Sequence, residues 1–371
     1  MDILIQDEGF SDSFSLHEAL LYACEDAVEG SGAFAFVSAR GAGLFLEDPV
    51  FQSMISNGRF RLIVGMDAVT DTAALAKLTQ IRNSHPSLQV LAFLNSTPSS
   101  LFHPKCSWFR NRRGGVVVVG SGNMTIGGLR KNREIYSVKD VSLGEINKLK
   151  RLWDKWLDES ASLLKPLNDV AVVEQARKNQ LKRRAIREVI EEPVSEEELA
   201  QIGPAGDDDY GDWAYPVSSI VLIAEIPRGA GRWNQANFDA STFQSFFGAT
   251  PGESGQRILL RYVEDGGSLA EIESRPSVSV RSQNYRFELA AAAGKDYPSS
   301  GRPIGVFVRV STRMFIYSLV LPNDSPHRQL DDWLTSHWTG RDDRMKRITT
   351  NYSEVSGLMA SIGLDRFLVS N

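Results

Sequence analysis

The chain of 371 residues is poor in cysteine and has no long apolar run, and both shortages narrow the classes of protein it can represent. Its two cysteines, Cys24 and Cys106, are far apart and lack partners at metal-ligand spacing, so neither a zinc site nor a disulfide framework is expected. No stretch of about 18 apolar residues is present, so no transmembrane helix is expected. Residues 1–8 are acidic early and lack a basic segment, so no secretory signal is predicted. A reducing cytoplasm is the expected location.

Phosphate-binding signatures of nucleotide-dependent enzymes are also missing. Gly120-Ser121-Gly122 is rich in glycine, but no Gly-Lys-Ser/Thr follows it, so it is not predicted to bind a nucleotide. The net charge of −5 argues against nucleic-acid binding when charge is averaged over the chain. Phosphates interact with local clusters of basic residues rather than with the average charge of the chain, however. Nucleic-acid binding must therefore be judged segment by segment.

Residues 1–167 alternate predicted strands and helices, which is typical of an α/β layered domain. Apolar runs predict strands at 33–38, 60–65, 88–93, around Lys105, at 115–119 and at 134–138, and helical periodicity predicts helices at 73–81 and 143–157.

The composition changes after residue 167. Residues 168–215 contain the basic, helix-prone run 177–187 and then blocks of acidic residues, which predicts an interdomain linker. The basic helix is expected to dock through Leu181 and Ile186 with its charges in water, although contact with phosphates is an open alternative. Residues 216–371 are predicted to form a β-rich domain. Its strand-like segments are 217–226, 257–263, 277–289 and 304–320, with a helix near 327–338.

His103 and Lys105 form the most informative pattern. Residues two apart on a strand point to the same face, so the imidazole and the ammonium are expected to project together. The valine run 115–119 is predicted to be a neighbouring strand, and the turn after it carries Ser121 and Asn123. An unprotonated imidazole can attack phosphorus, while cations and hydrogen-bond donors stabilise the charged oxygens. The pattern predicts phosphoryl transfer through a phosphohistidine, with no metal or other cofactor.

His103-Pro104-Lys105 followed by Gly120-Ser121-Gly122-Asn123 resembles the signature of the phospholipase D superfamily. The lipase pattern of that superfamily places an aspartate five residues after the lysine, where this chain has Arg110. Glu134, shortly after the asparagine, is typical of the nuclease branch that includes the BfiI and NgoAVII type restriction endonucleases. The resemblance implies a phospholipase D-like catalytic domain.

By the same resemblance, Glu134 accepts a hydrogen bond from the catalytic imidazole. From their own chemistry, three further residues have expected roles, and Lys105 balances negative charge on the phosphate oxygens. Ser121 and Asn123 bind the phosphate oxygens or orient the nucleophile. Only His103 among the histidines is followed by a lysine two residues on, yet the chemistry needs one imidazole to attack and another to protonate the leaving oxygen. A homodimer with the site on its two-fold axis is therefore expected.

Two polar segments of the second domain are candidates for DNA contacts. Arg reads guanine, and Asn or Gln reads adenine, in the major groove. The alternative is an ordinary polar loop over a packed tryptophan. In the restriction endonucleases that the first domain resembles, a β-rich pseudobarrel with two base-contacting arms follows the catalytic half. The candidates are Arg228, Arg232, Trp233, Asn234, Gln235 and Asn237 in the first segment and Arg281, Gln283, Asn284 and Arg286 in the second.

The leading hypothesis is a site-specific endonuclease of a restriction system that cuts double-stranded DNA without metal. A phospholipase D-type phosphatidyl hydrolase or transferase is the main alternative, although no membrane partner is expected. A non-catalytic DNA-binding protein is a further alternative. Some restriction enzymes of this group depend on a separate helicase-like ATPase, and this chain has no Walker motif that would supply one itself.

Overall fold

The computed structural model describes residues 2–95, 100–190, 209–228, 235–250, 255–264, 266–276, 285–341 and 343–369. Contacts divide the chain into two units, Met1–Asp208 and Asp209–Asn371. The first part of the predicted linker is therefore a helix of the first unit, whereas residues 191–208 lie outside the described part of the chain.

A single mixed sheet organises the described residues of the first unit. Its strands are β1 (Asp2–Gln6), β2 (Glu29–Phe34), β3 (Arg59–Gly65), β4 (Leu88–Phe93), β5 (Lys105–Arg110), β6 (Gly114–Gly120), β7 (Glu134–Ser142) and β8 (Leu164–Pro166). They lie in the order β1-β7-β6-β5-β2-β3-β4-β8, with β2, β3 and β4 parallel and the other neighbours antiparallel. The predicted α/β layering of this region is confirmed.

Helices cover the sheet and begin at polar residues that cap them. They are α1 (Leu16–Cys24), α2 (Ala39–Leu46), α3 (Pro49–Asn57), α4 (Thr72–Ser84), α5 (Leu143–Glu159) and α6 (Val170–Ile190), with a π-helical turn at Gly127–Lys131. In α5, Ser142 and Glu145 form a capping box. Hydrogen bonds from the backbone and hydroxyl of Ser142 hold the pKa of Glu145 at about 2, so this cap persists over the neutral range.

The predicted strand 33–38 is wrong in its bounds, because β2 spans Glu29–Phe34. Glycines at 30 and 32 weakened the strand signal, since glycine is disfavoured in strands. They are needed because neighbouring strands pack tightly there. A Cβ at Gly30 would lie 2.9 Å from the carbonyl oxygen of Trp108, and a Cβ at Gly32 would lie 2.6 Å from Ser107 Oγ.

Helix α6 is anchored on the first unit by a buried amide. Asn179, with no exposed surface, donates hydrogen bonds of 2.9 Å to the carbonyl oxygens of Met66 and Thr70. Leu181 was expected to dock this helix but is 64% exposed, so that expectation is wrong. Its counterpart Ile186 has no described side chain. The docked face instead carries Val172, Ala176 and Asn179, which precede the residues predicted to dock.

The described part of the second unit is dominated by strands, as predicted. They are β9 (Tyr215–Pro216), β10 (Ile220–Glu225), β11 (Gln235–Phe238), β12 (Arg257–Tyr262), β13 (Glu273–Pro276), β14 (Tyr285–Glu288), β15 (Ile304–Ser311), β16 (Met314–Val320), β17 (Arg347–Asn351) and β18 (Leu368–Val369). The helices are α7 (Asp209–Trp213), α8 (Ala240–Ser245), α9 (His327–His337) and α10 (Tyr352–Ala360). The main sheet runs β13-β12-β16-β15-β10-β17, and β11 pairs with β14 apart from it. The pseudobarrel stays a prediction.

Phenylalanines dominate the core of the second unit. Phe238, Phe247 and Phe307 lie within 6 Å of one another, ring centre to ring centre, and each is fully buried. Such edge-to-face packing joins the short β11 to the main sheet. In the described residues of both units, no helix is long and apolar enough to span a bilayer.

Candidate active site

Four strands bring the candidate residues to one end of the first sheet, called here the His103 end. Strand β5 begins at Lys105 and pairs with the last residue of β2, Phe34. Strand β6 runs antiparallel to β5 and β7, so its last residue lies near the start of both. Ser121 therefore meets Glu134 although thirteen residues separate them along the chain. The strand pattern predicted that Ser121 and Asn123 lie near His103 and Lys105. The position of Glu134 was expected only from the family resemblance.

His103 and Lys105 lie side by side, as their spacing predicted. Lys105 Nζ is 2.9 Å from each ring nitrogen of His103, and the imidazole is exposed. The edge of the imidazole packs against Phe36, at 5.8 Å between ring centres. Ala35 donates a hydrogen bond of 2.8 Å to the carbonyl oxygen of Pro104, which extends the pairing of β2 past its end. The imidazole is thus accessible and held by a short backbone segment.

Two opposing effects act on the pKa of Lys105. Burial lowers its pKa, and the negative charge of Glu134 partly offsets that shift. The net pKa lies below the ordinary lysine value. The carboxylate of Glu134 therefore supports a positive charge at this site.

Glu134 has partners other than the expected one. Its carboxylate accepts hydrogen bonds from the Ser121 hydroxyl and, at 3.2 Å, from Asn132 Nδ2. The bond predicted from the imidazole of His103 to Glu134 is not among the hydrogen bonds of the described residues. Ser121 in turn accepts a bond of 3.2 Å from the backbone N–H of Ile135. The hydroxyl of Ser121 therefore donates its hydrogen bond to Glu134 rather than to His103.

Asn123 bridges the glycine turn to the end of β2. Its Oδ1 accepts a hydrogen bond of 3.1 Å from the backbone N–H of Phe36, the residue whose ring packs on His103. Gly128 makes this position possible, because a Cβ there would lie 2.4 Å from the backbone nitrogen and oxygen of Asn123. The bond uses the amide oxygen and leaves the amide N–H groups as the donors that a phosphate requires.

The sequence reasoning missed Gln6, which ties this site together. Gln6 is 1% exposed and ends β1, where it pairs in register with Glu134. Its Nε2 donates a bond of 2.8 Å to the carbonyl oxygen of Asn132 and approaches those of Gly127 and Gly128 at 3.4 Å. Its Oε1 accepts a hydrogen bond of 2.9 Å from the backbone N–H of Leu16. No motif signals such a residue, because β1 itself was not predicted.

A buried ion pair fixes the π-helical turn behind the site. Arg130 Nη1 lies 3.3 Å from Glu18 Oε1 and 2.8 Å from Ser15 Oγ, and neither charged side chain has any exposed surface. Glu18 also belongs to the capping box of α1. A buried pair with this many hydrogen bonds specifies geometry, since removal of one partner leaves a charge uncompensated. The loop between Ser121 and Glu134 is therefore held from two sides.

Arg110 occupies the place of the lipase aspartate and serves a different role. Its guanidinium lies 2.7 Å from Glu29, at the end of β5 remote from His103. Because Arg110 is five residues along β5 from Lys105, it is about 16 Å from the candidate site. It does not belong to the group of residues that meet at the His103 end.

Part of the predicted DNA-contacting set can be placed in the second unit. Arg228 is exposed just after β10, and the backbones of Gln235 and Asn237 lie in β11. Asn237 pairs in register with Arg286 of β14, so the two polar segments meet in one ribbon. The remaining candidates lie outside the described residues, namely Arg232, Trp233, Asn234, Arg281, Gln283 and Asn284.

A group of three or more His, Cys, Asp or Glu side chains able to hold a metal ion does not occur in the described residues. Cys106 stands next to Lys105 but is not a thiolate at neutral pH, because burial raises its pKa to about 11. The groups available for chemistry at the His103 end are an imidazole, an ammonium, an amide, a hydroxyl and a carboxylate.

Neither a protein-family model nor a curated protein matches the sequence. Among solved structures, the chain is similar to NucT from Helicobacter pylori, at 12% identity and a TM-score of 0.32, over 44% of this chain and 98% of that one. It is similar to Nuc, a phospholipase D family member from Salmonella typhimurium, at 15% identity and a TM-score of 0.32, over 44% and 97%. The N-terminal domain of Helicobacter pylori LlaJI.R1 is similar at 10% identity and a TM-score of 0.27, over 35% and 97%. Likeness of this degree assigns no function to the chain.

Proposed function

We propose that the protein is a phosphodiesterase in which His103 is the nucleophile and that its substrate is double-stranded DNA. The observation that carries the proposal is the pairing of an exposed imidazole with an ammonium 2.9 Å away, at the strand ends where Asn123 and Glu134 also lie. A nucleophile, a cation and amide donors on one surface are what phosphoryl transfer without metal requires.

In the proposed first step, a ring nitrogen of His103 bonds to phosphorus while the bond from phosphorus to the leaving oxygen breaks. An anionic phosphate is a stronger partner for Lys105 than a neutral ring nitrogen, so substrate would draw Nζ away and free that nitrogen for attack. Amide donors of Asn123 and the ammonium of Lys105 would stabilise the non-bridging oxygens.

The leaving oxygen needs a proton, which His103 of the partner subunit would supply as an imidazolium. The same imidazole, now neutral, would take a proton from water. The water oxygen then bonds to phosphorus as the phosphorus–nitrogen bond breaks, and both histidines return to their starting states. The proposal therefore requires a homodimer with two copies of the His103 end in contact.

An apolar surface beside the site supports this requirement. Val119 and Ile135 are 49% and 59% exposed, and on the adjoining edge strand Ile3 is 69% exposed. The β1–β7 and β6–β7 registers put all three, with Ile5, on one face of the sheet. We call these four residues the Ile135 face. By the same registers, Lys105 and Glu134 point to the other face, because neighbouring residues of a strand alternate. A second copy seated on the Ile135 face would therefore approach the His103 end across the edge where β6 ends and β7 begins.

We further propose that the second unit selects the DNA sequence and that the protein acts in a restriction system. The ribbon of β11 and β14 supports this role, since it joins the two polar segments that carry arginine and amide side chains. A two-stranded ribbon fits the major groove of duplex DNA. The specificity of a restriction enzyme would then come from the second unit and the chemistry from the first.

Incubation of the purified full chain with plasmid DNA in EDTA, followed by sequencing of the ends, tests the proposal. Defined ends are expected from the wild type and none from His103→Ala, which should still bind DNA. His85→Ala, which removes an imidazole at the opposite end of β4, should cut normally. Mass spectrometry should find a phosphate adduct on His103. Cleavage by the His103→Ala variant would contradict the mechanism, and cleavage without ATP would make a separate helicase-like ATPase unnecessary.

A further inference from the structure

A second concave surface lies on the first unit away from the His103 end. It is a groove of about 1090 Å³ between α5 and strands β2, β3 and β4. Glu29 at its floor begins β2, whereas Phe34 ends that strand beside Lys105. Five residues of strand separate the two positions, which corresponds to about 16 Å. We call this surface the Glu29 groove.

The floor of the Glu29 groove holds one carboxylate among three cations. Glu29 is 6% exposed and lies 2.6 Å from Arg59, 2.7 Å from Arg110 and 3.7 Å from Lys150. Burial opposes the ionisation of Glu29, but the hydrogen bonds from Arg59 and Arg110 outweigh it and lower its pKa. The carboxylate is therefore charged at neutral pH, and it offsets only part of the positive charge around it.

Two further guanidiniums line the groove. Arg61 donates a hydrogen bond of 2.6 Å to Gln89 and is 3.9 Å from Asp154, too far for a hydrogen bond. Arg82 lines the wall at the end of α4. The cations of the groove and its floor are Arg59, Arg61, Arg82, Arg110 and Lys150, and the anions are Glu29, Asp154 and Asp158. The lining residues carry one more cation than anion, and Arg110 adds another beneath them, although Lys150 is 2.6 Å from Asp154 and the whole chain carries −5.

A tryptophan in the wall of the groove has an unsatisfied donor. Trp108 lines the groove and is 2% exposed, and its buried Nε1 has no hydrogen-bond partner in the described part of the chain. The neighbouring Trp153 differs, because its Nε1 donates a hydrogen bond of 2.9 Å to Ser31 Oγ. A buried N–H without an acceptor is unfavourable, so the wall of the groove holds an unsatisfied donor beneath its surface.

We infer that the Glu29 groove is a second binding site, which takes a phosphate-bearing ligand. Phosphate oxygens are acceptors only, and they suit the forked donors of Arg59 and Arg61. The volume is at the upper end of small-molecule pockets, so the ligand is larger than a lone phosphate ion. A phosphorylated small molecule or a phosphodiester strand supplies the same chemistry. This inference goes beyond the proposed function and does not depend on it.

Calorimetry on the full chain with inorganic pyrophosphate as the probe tests the inference. The double variant Arg61→Gln/Arg82→Gln removes two groove cations that are only partly paired. Its matched control, Arg112→Gln/Arg113→Gln, removes the same charge from the exposed turn between β5 and β6. The groove variant should bind pyrophosphate about tenfold or more weakly, since hydrogen bonds to charged groups are among the strong ones. The control should keep the affinity of the wild type within about twofold, because exposed charges act weakly at a distance.

The indole signals provide a second measurement. One of the seven tryptophan N–H resonances should move when pyrophosphate saturates the wild type, and it should be the signal that Trp108→Phe removes. Absence of binding at millimolar pyrophosphate, or an equal loss of affinity in both double variants, would overturn the inference. A short single-stranded oligonucleotide then identifies the source. Competition with pyrophosphate indicates a nucleic-acid strand, and lack of competition indicates a small phosphorylated molecule.

Discussion

Gln6 is the register partner of Glu134, and its buried amide bonds the loop that leads to that carboxylate. The first strand of the chain thus fixes the start of β7, although the chain reaches β7 only after five other strands of the sheet. A side chain that touches no substrate therefore sets where Glu134 and Ser121 lie. Gln6 is a positioning residue.

Substitution Gln6→Met keeps the size of this side chain and removes its donors. The carbonyl oxygens of Gly127, Gly128 and Asn132 would lose a buried partner, which lowers the free energy of unfolding by about 1–3 kcal/mol. Because Glu134 and Ser121 would shift, kcat on a minimal phosphodiester should fall more than tenfold with KM nearly unchanged. Denaturant unfolding and steady-state kinetics measure both effects. Gln80→Met on the exposed side of α4 is the control, and equal kinetics in the two variants would contradict the positioning role.

The lowered pKa of Lys105 predicts an early loss of activity in alkali. The ammonium is the active form, so activity falls as pH rises through the pKa of Lys105. Because burial lowers this pKa, the fall should begin below pH about 10.4, the ordinary lysine value. Lys105→Arg should move the alkaline limb to higher pH, since a guanidinium stays charged. Glu134→Gln should move it to lower pH, because the carboxylate raises the pKa of Lys105. A pH–rate profile of each variant is the measurement.

Charge on the Ile135 face should abolish both dimerisation and cleavage. Val119→Asp alters a side chain that is 49% exposed, so the free energy of unfolding of the single chain should change by no more than about 0.5 kcal/mol. Light scattering after gel filtration should find a monomer. Leu181→Asp, at a residue of α6 that is 64% exposed, should stay dimeric and active. Full activity of a monomeric Val119→Asp variant would refute the shared site.

Mixed subunits test the need for two imidazoles from another direction. If wild-type and His103→Ala chains exchange freely at equal amounts, about a quarter of the dimers carry both histidines. Activity per mole of dimer should fall to about that fraction of the wild-type value. A fall to one half would mean that each histidine works alone.

Contacts from the β11–β14 ribbon should affect binding and leave the chemistry unchanged. Arg286→Ala should weaken binding of the preferred DNA by about 1–3 kcal/mol, the size of one good arginine–guanine contact. Hydrolysis of a minimal phosphodiester should not change, because the residue belongs to the second unit. Arg328→Ala, at a guanidinium that is 92% exposed, controls for loss of charge. Fluorescence anisotropy with labelled duplexes measures the binding.

Much of the first sheet was predictable because its strands are continuous apolar runs. The strand 88–93 has the predicted bounds, and β6 and β7 extend their predicted cores by one to four residues. The start of β2 was missed because glycine provides close packing there rather than a hydrophobic signal. Strand β1 was missed because its apolar run, Ile3-Leu4-Ile5, is only three residues long and is flanked by Asp2 and Gln6, which is too short for a clear strand signal.

The candidate site was predictable to the extent that local spacing determines it. His103 and Lys105 are neighbours as predicted, although only Lys105 lies in β5. His103 precedes the strand, where the hydrogen bond from Ala35 to Pro104 continues the pairing with β2. The partner of Glu134 was not predictable, because it depends on which of several nearby groups the loop 121–134 presents. That choice is made by Gln6, and also by the ion pair of Arg130 with Glu18. Long-range buried contacts of this kind leave no local pattern in a sequence.

The anchor of α6 also decides where a working catalytic fragment can end. A fragment that stops at residue 167, the predicted end of the first domain, would lack Asn179 and leave the carbonyl oxygens of Met66 and Thr70 without their donor. It would also expose the surface against which the fully buried Val172 and Ala176 pack. The loop that follows β3 would then be open to water. Asp67 in this loop accepts a hydrogen bond from the backbone N–H of Phe102, the residue before His103. Truncation for expression should therefore retain the helix to its end at Ile190.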